Sequence, residues 1–302
     1  MPIVVNGTTL TDVKVSNLSI TKVYARQGNT GTYILVFEKG GAITVALYFC
    51  GNWKMNKLKA DIDSFFSSFN TGLELNLAKK VIIFPPACYL DYVKSKISND
   101  LSNMIGVGIQ NLAVVANTSG AYTGQISAEM AADCGCEMAM IGNADCRVYL
   151  GITDSICNIQ IKSAISAGLA VLLCVGEPEE IRNAGTQEAY VANQLQTALA
   201  GVSVSDFESG KIIINYEPIW AIGTGKTCSP EDASQMCTYI KSWLVNTYGA
   251  DVAEHIIVVY GGSIRASNIN DYLSQQNISG AVAAGAALSP TSFAELINIA
   301  GV

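Results

Sequence analysis

Two charged residues, Lys54 and Glu217, lie in segments whose composition is typical of a site for a small anion. Glu217 follows an apolar run and begins a stretch with Pro, Trp and Gly-Thr-Gly, as expected of a lid with defined hinges. Gly-rich turns such as Gly261, Gly262 and Ser263 present backbone N–H groups that bind phosphate. One carboxylate, one ammonium and several amide turns therefore predict a small anionic ligand.

Eight short β-rich runs, each followed by a helical stretch, extend along the chain from residue 43. The runs cover residues 43–49, 80–84, 105–110, 138–142, 170–175, 211–215, 256–260 and 280–284. Runs that are apolar on both faces fit parallel strands covered by helices. Eight evenly spaced units predict an α/β fold, a (β/α)8 barrel, whose functional groups lie on loops after the strands. A doubly wound open sheet is the alternative, and it gives less reason for the even spacing.

Helix signals support the alternation. Ile62, Phe65, Phe66 and Phe69 recur at helical spacing within residues 61–69. Ser-Pro pairs at 229–230 and 289–290 supply an N-cap and a proline for the first turn of two further helices.

Residues 1–42 have a different pattern and predict a small β-rich extension, separate from a barrel of residues 43–302. Asn6-Gly7 is a hairpin-turn signal, Ser16-Asn17 predicts a second turn, and residues 32–38 predict a strand. About forty residues are marginal for independent folding, so we expect this extension to pack on the barrel or on a partner.

Composition excludes several classes of function. The net charge of −7 argues against nucleic acid as a partner, and no run of 18 apolar residues predicts a membrane span. The nine cysteines are odd in number and lack regular spacing, which favours reduced thiols in a reducing, cytoplasmic compartment over disulfides. Without a metal-ligand motif we expect no metal, and no cofactor is predicted.

Three motifs together resemble the triosephosphate isomerase family over about residues 44–300. They are Asn-Trp-Lys-Met-Asn at 52–56, Tyr-Glu-Pro-Ile-Trp-Ala-Ile-Gly-Thr-Gly-Lys-Thr at 216–227 and Tyr-Gly-Gly-Ser at 260–263. The resemblance implies a TIM barrel without a cofactor that interconverts glyceraldehyde 3-phosphate and dihydroxyacetone phosphate in glycolysis. The expected ligand is a small phosphorylated triose or a similar anion.

The resemblance also implies roles for individual residues. Glu217 would be the base that moves a proton between two substrate carbons, and Lys54 would bind the substrate with Asn52 beside it. Backbone N–H groups would hold the phosphate at Gly223, Ser263, Ala284 and Gly285. A lid, residues 218–226, would include Pro218, Trp220 and Lys226. Thr123, in a loop of residues 110–127, would reach the active site of a partner subunit, which implies a homodimer.

The chain departs from this family at the loop after the fourth barrel strand. Asn143 stands where the family has its catalytic histidine, and Ala144, Asp145 and Cys146 replace a serine, a glutamate and an arginine. An amide donates a neutral hydrogen bond but cannot relay a proton between substrate oxygens, and loss of such a group costs on the order of 10²–10⁴ in rate. Ala284 also replaces a glycine, at a place where close approach or positive φ is expected.

The only histidine, His255, precedes the seventh barrel strand rather than following it. Five or six residues of strand place it roughly 15–20 Å away, on the opposite rim of the barrel, so it cannot replace the missing imidazole.

Two functions follow from these residues. The first is an isomerase of this family with severely reduced activity. The alternative is a non-catalytic barrel that serves as a binding or structural component of a larger assembly through residues 1–42, whose sequence faintly resembles short β repeats of phage structural proteins. This alternative predicts a virion location instead of the cytoplasm.

Overall fold

The computed structural model describes residues 47–222, 224–252 and 255–301, together with four strands before residue 47. These strands are β1 (Ile3–Val5), β2 (Thr8–Leu10), β3 (Ile20–Gln27) and β4 (Tyr33–Lys39).

The four N-terminal strands form two antiparallel pairs, β1 with β2 and β3 with β4. Val5 of β1 pairs with Thr8 of β2, but the turn predicted at Asn6-Gly7 between them lies outside the described residues; β4 covers most of the strand predicted at residues 32–38. The turn predicted at Ser16-Asn17 lies outside the described residues. The division of the chain into an extension and a barrel stays a prediction.

Eight parallel strands close into a barrel in the order β10-β11-β12-β5-β6-β7-β8-β9. They are β5 (Leu47–Asn52), β6 (Lys79–Phe84), β7 (Ile105–Ile109), β8 (Met138–Ile141), β9 (Ala170–Val175), β10 (Ile212–Tyr216), β11 (Ile257–Tyr260) and β12 (Gly280–Ala283). Because β12 pairs with β5, the sheet has no free edge. The predicted (β/α)8 barrel is confirmed and the open sheet is excluded.

Helices separate the barrel strands. They are α1 (Lys59–Gly72), α2 (Leu90–Lys96), α3 (Ala128–Asp133), α4 (Ala144–Leu150), α5 (Asp154–Ser166), α6 (Glu179–Asn183), α7 (Gln187–Ala198), α8 (Val204–Glu208), α9 (Pro230–Tyr248), α10 (Ile269–Leu273) and α11 (Pro290–Ile299). Short 3-10 turns cover Ala87–Tyr89, Asn99–Leu101, Ile219–Ala221, Ala250–Val252 and Ala286–Leu288. None of the helices in the described part of the chain is long and apolar enough to cross a membrane.

The predicted helix starts are present. Ser229 accepts a hydrogen bond from the backbone N–H of Asp232 at the start of α9, and Ser289 accepts one from Ser292 at the start of α11. Each side chain satisfies an N–H that has no partner within its helix, and the proline that follows fits the first helical position.

Side-chain alternation along the strands divides the core into two layers. One layer fills the barrel interior, and its buried members are Cys50, Ile82, Phe84, Met138, Met140, Leu172, Cys174, Ile213, Val259 and Val282. The other layer lies between the sheet and the helices. Because the side-chain period of a strand is two, Asn215 and Glu217 continue the inward-facing series that begins at Ile213.

Two strand ends differ from the predicted boundaries. Asn52 and Tyr216, predicted as loop residues, are the last residues of β5 and β10, because Asn52 pairs with Phe84 and Tyr216 with Tyr260. The first barrel strand, predicted over residues 43–49, is described from Leu47, and residues 43–46 lie outside the description. Sheet pairing extends both strands beyond their apolar runs.

Phe69 joins the first and last helices of the barrel. It is fully buried, stacks on Phe293 of α11 at 5.5 Å between ring centres, and contacts Phe65 and Phe66 of its own helix. We expect Phe69→Ala to lower the free energy of unfolding by about 3–5 kcal/mol, because it removes apolar contacts and leaves a cavity. Urea unfolding measures this.

Two variants serve as controls for this loss. Phe69→Leu retains much of the volume and should cost less than about 2 kcal/mol, and Ser68→Ala, on the exposed face of α1, should stay within about 0.5 kcal/mol. Equal stabilities of Phe69→Ala and Ser68→Ala would show that the stack does not hold the two helices together.

Candidate active site

A cleft of about 720 Å³ opens at the carboxyl ends of the barrel strands. It brings together seven of the residues predicted for the site, namely Asn52, Lys54, Asn143, Glu217, Ser263, Ala284 and Gly285. Gly223 lies outside the described residues. Within the described segments, no group of three or more His, Cys, Asp or Glu side chains is arranged to hold a metal ion.

Glu217 is placed by the sheet that precedes it. Its backbone N–H donates to Val175 O at 2.8 Å, so the residue is still attached to β9 although β10 ends at Tyr216. The side chain is 4% exposed. A carboxylate at this depth has lost most of its water and requires protein donors in exchange.

Three N–H groups donate hydrogen bonds to the carboxylate in place of the lost water. Asn143 Nδ2 donates to Glu217 Oε1 at 2.7 Å, Asn215 Nδ2 donates to the same oxygen at 3.0 Å, and the backbone N–H of Ala144 donates to Oε2 at 3.0 Å. Burial raises the pKa of Glu217, while the hydrogen bonds from Ala144 and Asn143 oppose that rise because they favour the charged form. A raised pKa brings a carboxylate closer to the range in which it can act as a base near neutrality.

Asn143 has a structural role as well as a place in the cleft. It is the N-cap of α4, where its Oδ1 accepts from the backbone N–H of Asp145 at 3.1 Å, and it is 8% exposed. The amide oxygen therefore faces the helix and the amide nitrogen faces Glu217. The nitrogen carries a second N–H that Glu217 does not occupy.

Arg147 braces the loop that carries Asn143. Its Nε donates to Gly142 O at 2.6 Å, one terminal nitrogen donates to Cys174 O at 3.2 Å, and the other pairs with Asp154 at 2.7 Å. One guanidinium thus ties the end of β8 to β9 and α5.

Lys54 pairs with Asp145 across the mouth of the cleft, at 2.9 Å between Nζ and Oδ2. Its φ of 50° lies in the left-handed region, which costs free energy for a residue with a side chain. Asn52 Oδ1 accepts from the backbone N–H of Lys54, and Gln110 Nε2 donates to its carbonyl, both at 2.9 Å. These bonds hold the backbone of Lys54 while its ammonium stays at the solvent edge.

The Gly261-Gly262 turn allows a close approach that a side chain would block. A Cβ on Gly261 would lie 2.5 Å from Asn215 Oδ1, and a Cβ on Gly262 would overlap the hydroxyl of Tyr260. Ala284 is not among the residues with positive φ, and Gly285 has a right-handed φ of −58°. The expectation of a positive φ at Ala284 is therefore wrong, while the expectation that its Cβ hinders close approach of a ligand stays a prediction.

The first turn of the lid is anchored to Glu177. Trp220 Nε1 and Tyr216 Oη donate to Glu177 Oε1 at 2.9 and 3.0 Å, and Arg182 lies over the Trp220 ring at 5.4 Å. Glu177 is fully buried, and burial raises its pKa. Pro218 precedes this turn, and Lys226 at the far end of the lid pairs with Glu179.

Thr123 and His255 both lie away from the cleft lining. Thr123 is exposed in the loop between β7 and α3, where it is available to a partner, and His255 is exposed at the amino end of β11. The cleft is formed at the carboxyl ends, so His255 lies on the opposite rim, as expected.

Sequence reasoning assigned no role to Asn215 and Glu177. Asn215 had a signal in the sequence, because a polar residue at the end of an Ile-Ile-Ile run stands two positions before Glu217 and thus on the same face of the strand. Glu177 had a weaker signal, since a carboxylate after a strand is common on loops, and only the fold brings it to Trp220.

Comparisons with known proteins agree on one family. The family model described as triosephosphate isomerase matches residues 47–300. A triosephosphate isomerase of Mycoplasma mobile is 41% identical over 250 residues, which cover 82% of this chain and 97% of that protein. Those of Thermus thermophilus and Hydrogenovibrio crunogenus are 37% and 36% identical, over 83% and 84% of this chain and 97% and 98% of theirs.

The raised pKa of Glu217 predicts a pH-dependent stability. Glu217 starts from an ordinary value of 4.5, and its folded value is higher. Below pH 4.5 the carboxyl is protonated in both the folded and the unfolded state, so the stability does not change with pH through this group. As the pH rises above 4.5, the unfolded chain ionises first, and the folded state loses stability until its own carboxyl ionises too. We expect the wild type to lose more stability than Glu217→Gln between about pH 5 and about pH 8.

Urea unfolding at both pH values measures that difference, and comparing each protein with itself cancels the constant effect of the substitution. Glu180→Gln, on the short helix α6, is the matched control and should follow the wild type. Parallel pH dependences of the wild type and Glu217→Gln would contradict the raised pKa.

Proposed function

Because the chain belongs to the triosephosphate isomerase family, we propose that its cleft binds a phosphorylated triose and that Asn143 reduces its turnover as an isomerase. The observation that carries this proposal is the 2.7 Å hydrogen bond from Asn143 Nδ2 to Glu217. An amide occupies the wall of the cleft beside the carboxylate, at the position where the family resemblance implies an imidazole.

Glu217 is the proposed base. Its carboxylate would take a proton from the substrate carbon next to the carbonyl. The electron pair of that C–H bond would form the carbon–carbon double bond of an enediolate, while the π pair of the carbonyl moves to its oxygen. Isomerisation is complete when the proton returns to the neighbouring carbon and a proton has moved between the two substrate oxygens. The buried position of Glu217 supports this role, since a dry carboxylate with a raised pKa is a stronger base.

Asn143 limits the proton transfer between the two substrate oxygens. The hydroxyl proton on one substrate oxygen has to reach the other oxygen, and an amide N–H can stabilise the developing charge but cannot donate and recover a proton. Lys54 contributes positive charge at the mouth of the cleft, but it is paired with Asp145. We therefore expect carbon deprotonation to proceed and the transfer between oxygens to be slow.

Phosphate binding is proposed for the turns at the far side of the cleft. Residues 261–263 and residues 284–285 all line the cleft, and none of them carries a long side chain that would cover its backbone. Backbone N–H groups in such turns bind phosphate without a cation. Closure of residues 218–226 over the ligand would exclude water from the site.

Restoring the imidazole tests the role of Asn143. We expect Asn143→His to raise kcat by about 10²–10⁴-fold in a coupled isomerase assay. Exchange of carbon-bound hydrogen of dihydroxyacetone phosphate with solvent deuterium, followed by NMR, should already occur in the wild type and change less. Asn103→His, which adds an exposed histidine near the start of β7, is the matched control.

Each outcome distinguishes the candidates. A wild-type kcat within about tenfold of that of a relative with the family histidine would refute impaired turnover. Absence of exchange and of calorimetric binding of a phosphorylated two-carbon carboxylate, in the wild type and in Asn143→His, would favour the non-catalytic barrel of a larger assembly.

A homodimer is the second part of the proposal. Five apolar side chains after β5 and in α4 are exposed, and together they are called the apolar rim: Met55, Leu58, Val148, Tyr149 and Leu150. Met55 is 95% and Tyr149 80% exposed. The Lys54–Asp145 ion pair brings the two segments of the rim together. Exposed large apolar side chains grouped on neighbouring segments are typical of an interface.

A charge in the apolar rim should separate the subunits. We expect Tyr149→Glu to shift the sedimentation of the protein from dimer to monomer at micromolar concentration, because a carboxylate would be buried without a partner. Tyr190→Glu, on an exposed aromatic residue of α7, is the control and should leave the dimer intact. A wild-type protein that sediments as a monomer would contradict the proposal.

A further inference from the structure

We propose that Asn215 is a positioning residue, which holds the Glu217 carboxylate in one orientation and directs proton uptake to its Oε2 oxygen. This inference rests on the proposed role of Glu217 as a base. The amide of Asn215 does not itself line the cleft and acts through Glu217.

Strand geometry places the two side chains together. Asn215 is the fourth residue of β10 and pairs in register with Cys174 of β9 and Val259 of β11. Its side chain is fully buried in the barrel interior, two positions before Glu217 on the same face. An amide in an apolar layer is costly unless it has a hydrogen-bonding task.

The task is visible in its contacts. Asn215 Nδ2 donates to Glu217 Oε1 at 3.0 Å and lies 3.3 Å from Cys174 Sγ. An ionised carboxylate only accepts, which assigns the nitrogen rather than the oxygen of the amide to this contact. Asn215 Oδ1, in contrast, is buried without a hydrogen-bond partner among the described residues. The orientation of the amide is therefore set by Glu217.

Packing keeps the amide in place. A Cβ on Gly261 would lie 2.5 Å from Asn215 Oδ1 and 2.8 Å from Nδ2, so the glycine backbone lies directly against the amide. With β9 on one side and this turn on the other, Asn215 has little space to rotate. A side chain confined in this way holds its partner without an entropic cost at the moment of reaction.

The two carboxylate oxygens are treated unequally. Of the N–H donors, those of Asn143 and Asn215 both bind Oε1, while that of Ala144 binds Oε2. Each oxygen has two lone pairs, so the amides fill Oε1 and leave one lone pair on Oε2. Oε2 is therefore the oxygen that takes the proton from the substrate carbon.

Few other titratable groups face Glu217. They are Cys174 on β9, Cys146 on α4 and Lys54 after β5. Burial raises the pKa of Cys146 to about 11 and that of Cys174 well above its ordinary value, so both thiols stay neutral near neutral pH. Asp145 and Glu295 are further carboxyls at this cleft, so the Glu217 titration has to be followed on its own assigned resonance.

Removal of the amide tests the proposal without requiring turnover. Carbon-13 NMR of the glutamate side-chain carboxyls, with Glu217→Gln to assign the resonance, follows ionisation directly. We expect Asn215→Ala to move the Glu217 titration to higher pH, because the charged form loses a donor. The isosteric Asn215→Asp should move it further, since a second carboxylate would face the first.

The same variants are compared in the deuterium-exchange assay. Exchange by Asn215→Ala should fall about tenfold near pH 6 and recover partly at higher pH, where the carboxylate is ionised again. Asn158→Ala is the matched control, because this amide bridges α5 to Ala198 O and Ala200 O far from the cleft; it should leave both titration and exchange unchanged.

A titration that stays in place in both Asn215 variants would overturn the proposal, whatever the exchange rates. A shifted titration without exchange in any variant would keep the positioning role and refute the isomerase proposal. If Asn215→Ala fails to fold, Asn215→Asp preserves the volume of the side chain, and an unchanged Glu217 titration in that variant would overturn the proposal.

Discussion

The site depends on one constraint, the burial of the Glu217 carboxylate. Three N–H groups replace nearly all the water around it. Those of Asn143 and Ala144 follow β8, and that of Asn215 belongs to β10. With too few donors the carboxyl would stay protonated at neutral pH, and with too many its pKa would be too low for it to act as a base. The loop after β8 and the end of β10 have to keep their relative position for this balance to hold, and Arg147 fixes the first of them to β9.

The same constraint explains why the barrel tolerates polar residues in its interior. Asn52, Asn215 and Glu217 stand at the ends of inward-facing series that begin with apolar residues. Deeper positions such as Ile213 and Leu172 pack against one another, and the last positions face the cleft. The alternation of side chains along the strands therefore builds both a dry core and the polar residues of the cleft. Gly261 provides the space that Asn215 needs at the end of its strand.

Much of this arrangement could be predicted from the sequence, for physical reasons. Strand and helix periods gave the (β/α)8 barrel, and the rule that function follows the carboxyl ends of the strands gave Lys54, Asn143 and Glu217 a common cleft. Contacts between distant segments could not be predicted in this way. The hydrogen bond between Asn215 and Glu217 depends on the side-chain rotamers at the end of β10. The hydrogen bond between Glu177 and Trp220 joins two loops whose residues are 43 positions apart.

Barrel closure has a consequence for the emerging chain on the ribosome. Tyr48 and Phe49 of β5 pair with Gly280 and Ala281 of β12. The first barrel strand therefore cannot complete its pairing until the last barrel strand has been synthesised. Until then β5 exposes an unpaired edge, and the aromatic face of α1 lacks its Phe293 partner. Unpaired edges and apolar faces are the surfaces that chaperones recognise and aggregates share. Translation of the last helix thus sets the earliest moment at which this molecule is protected.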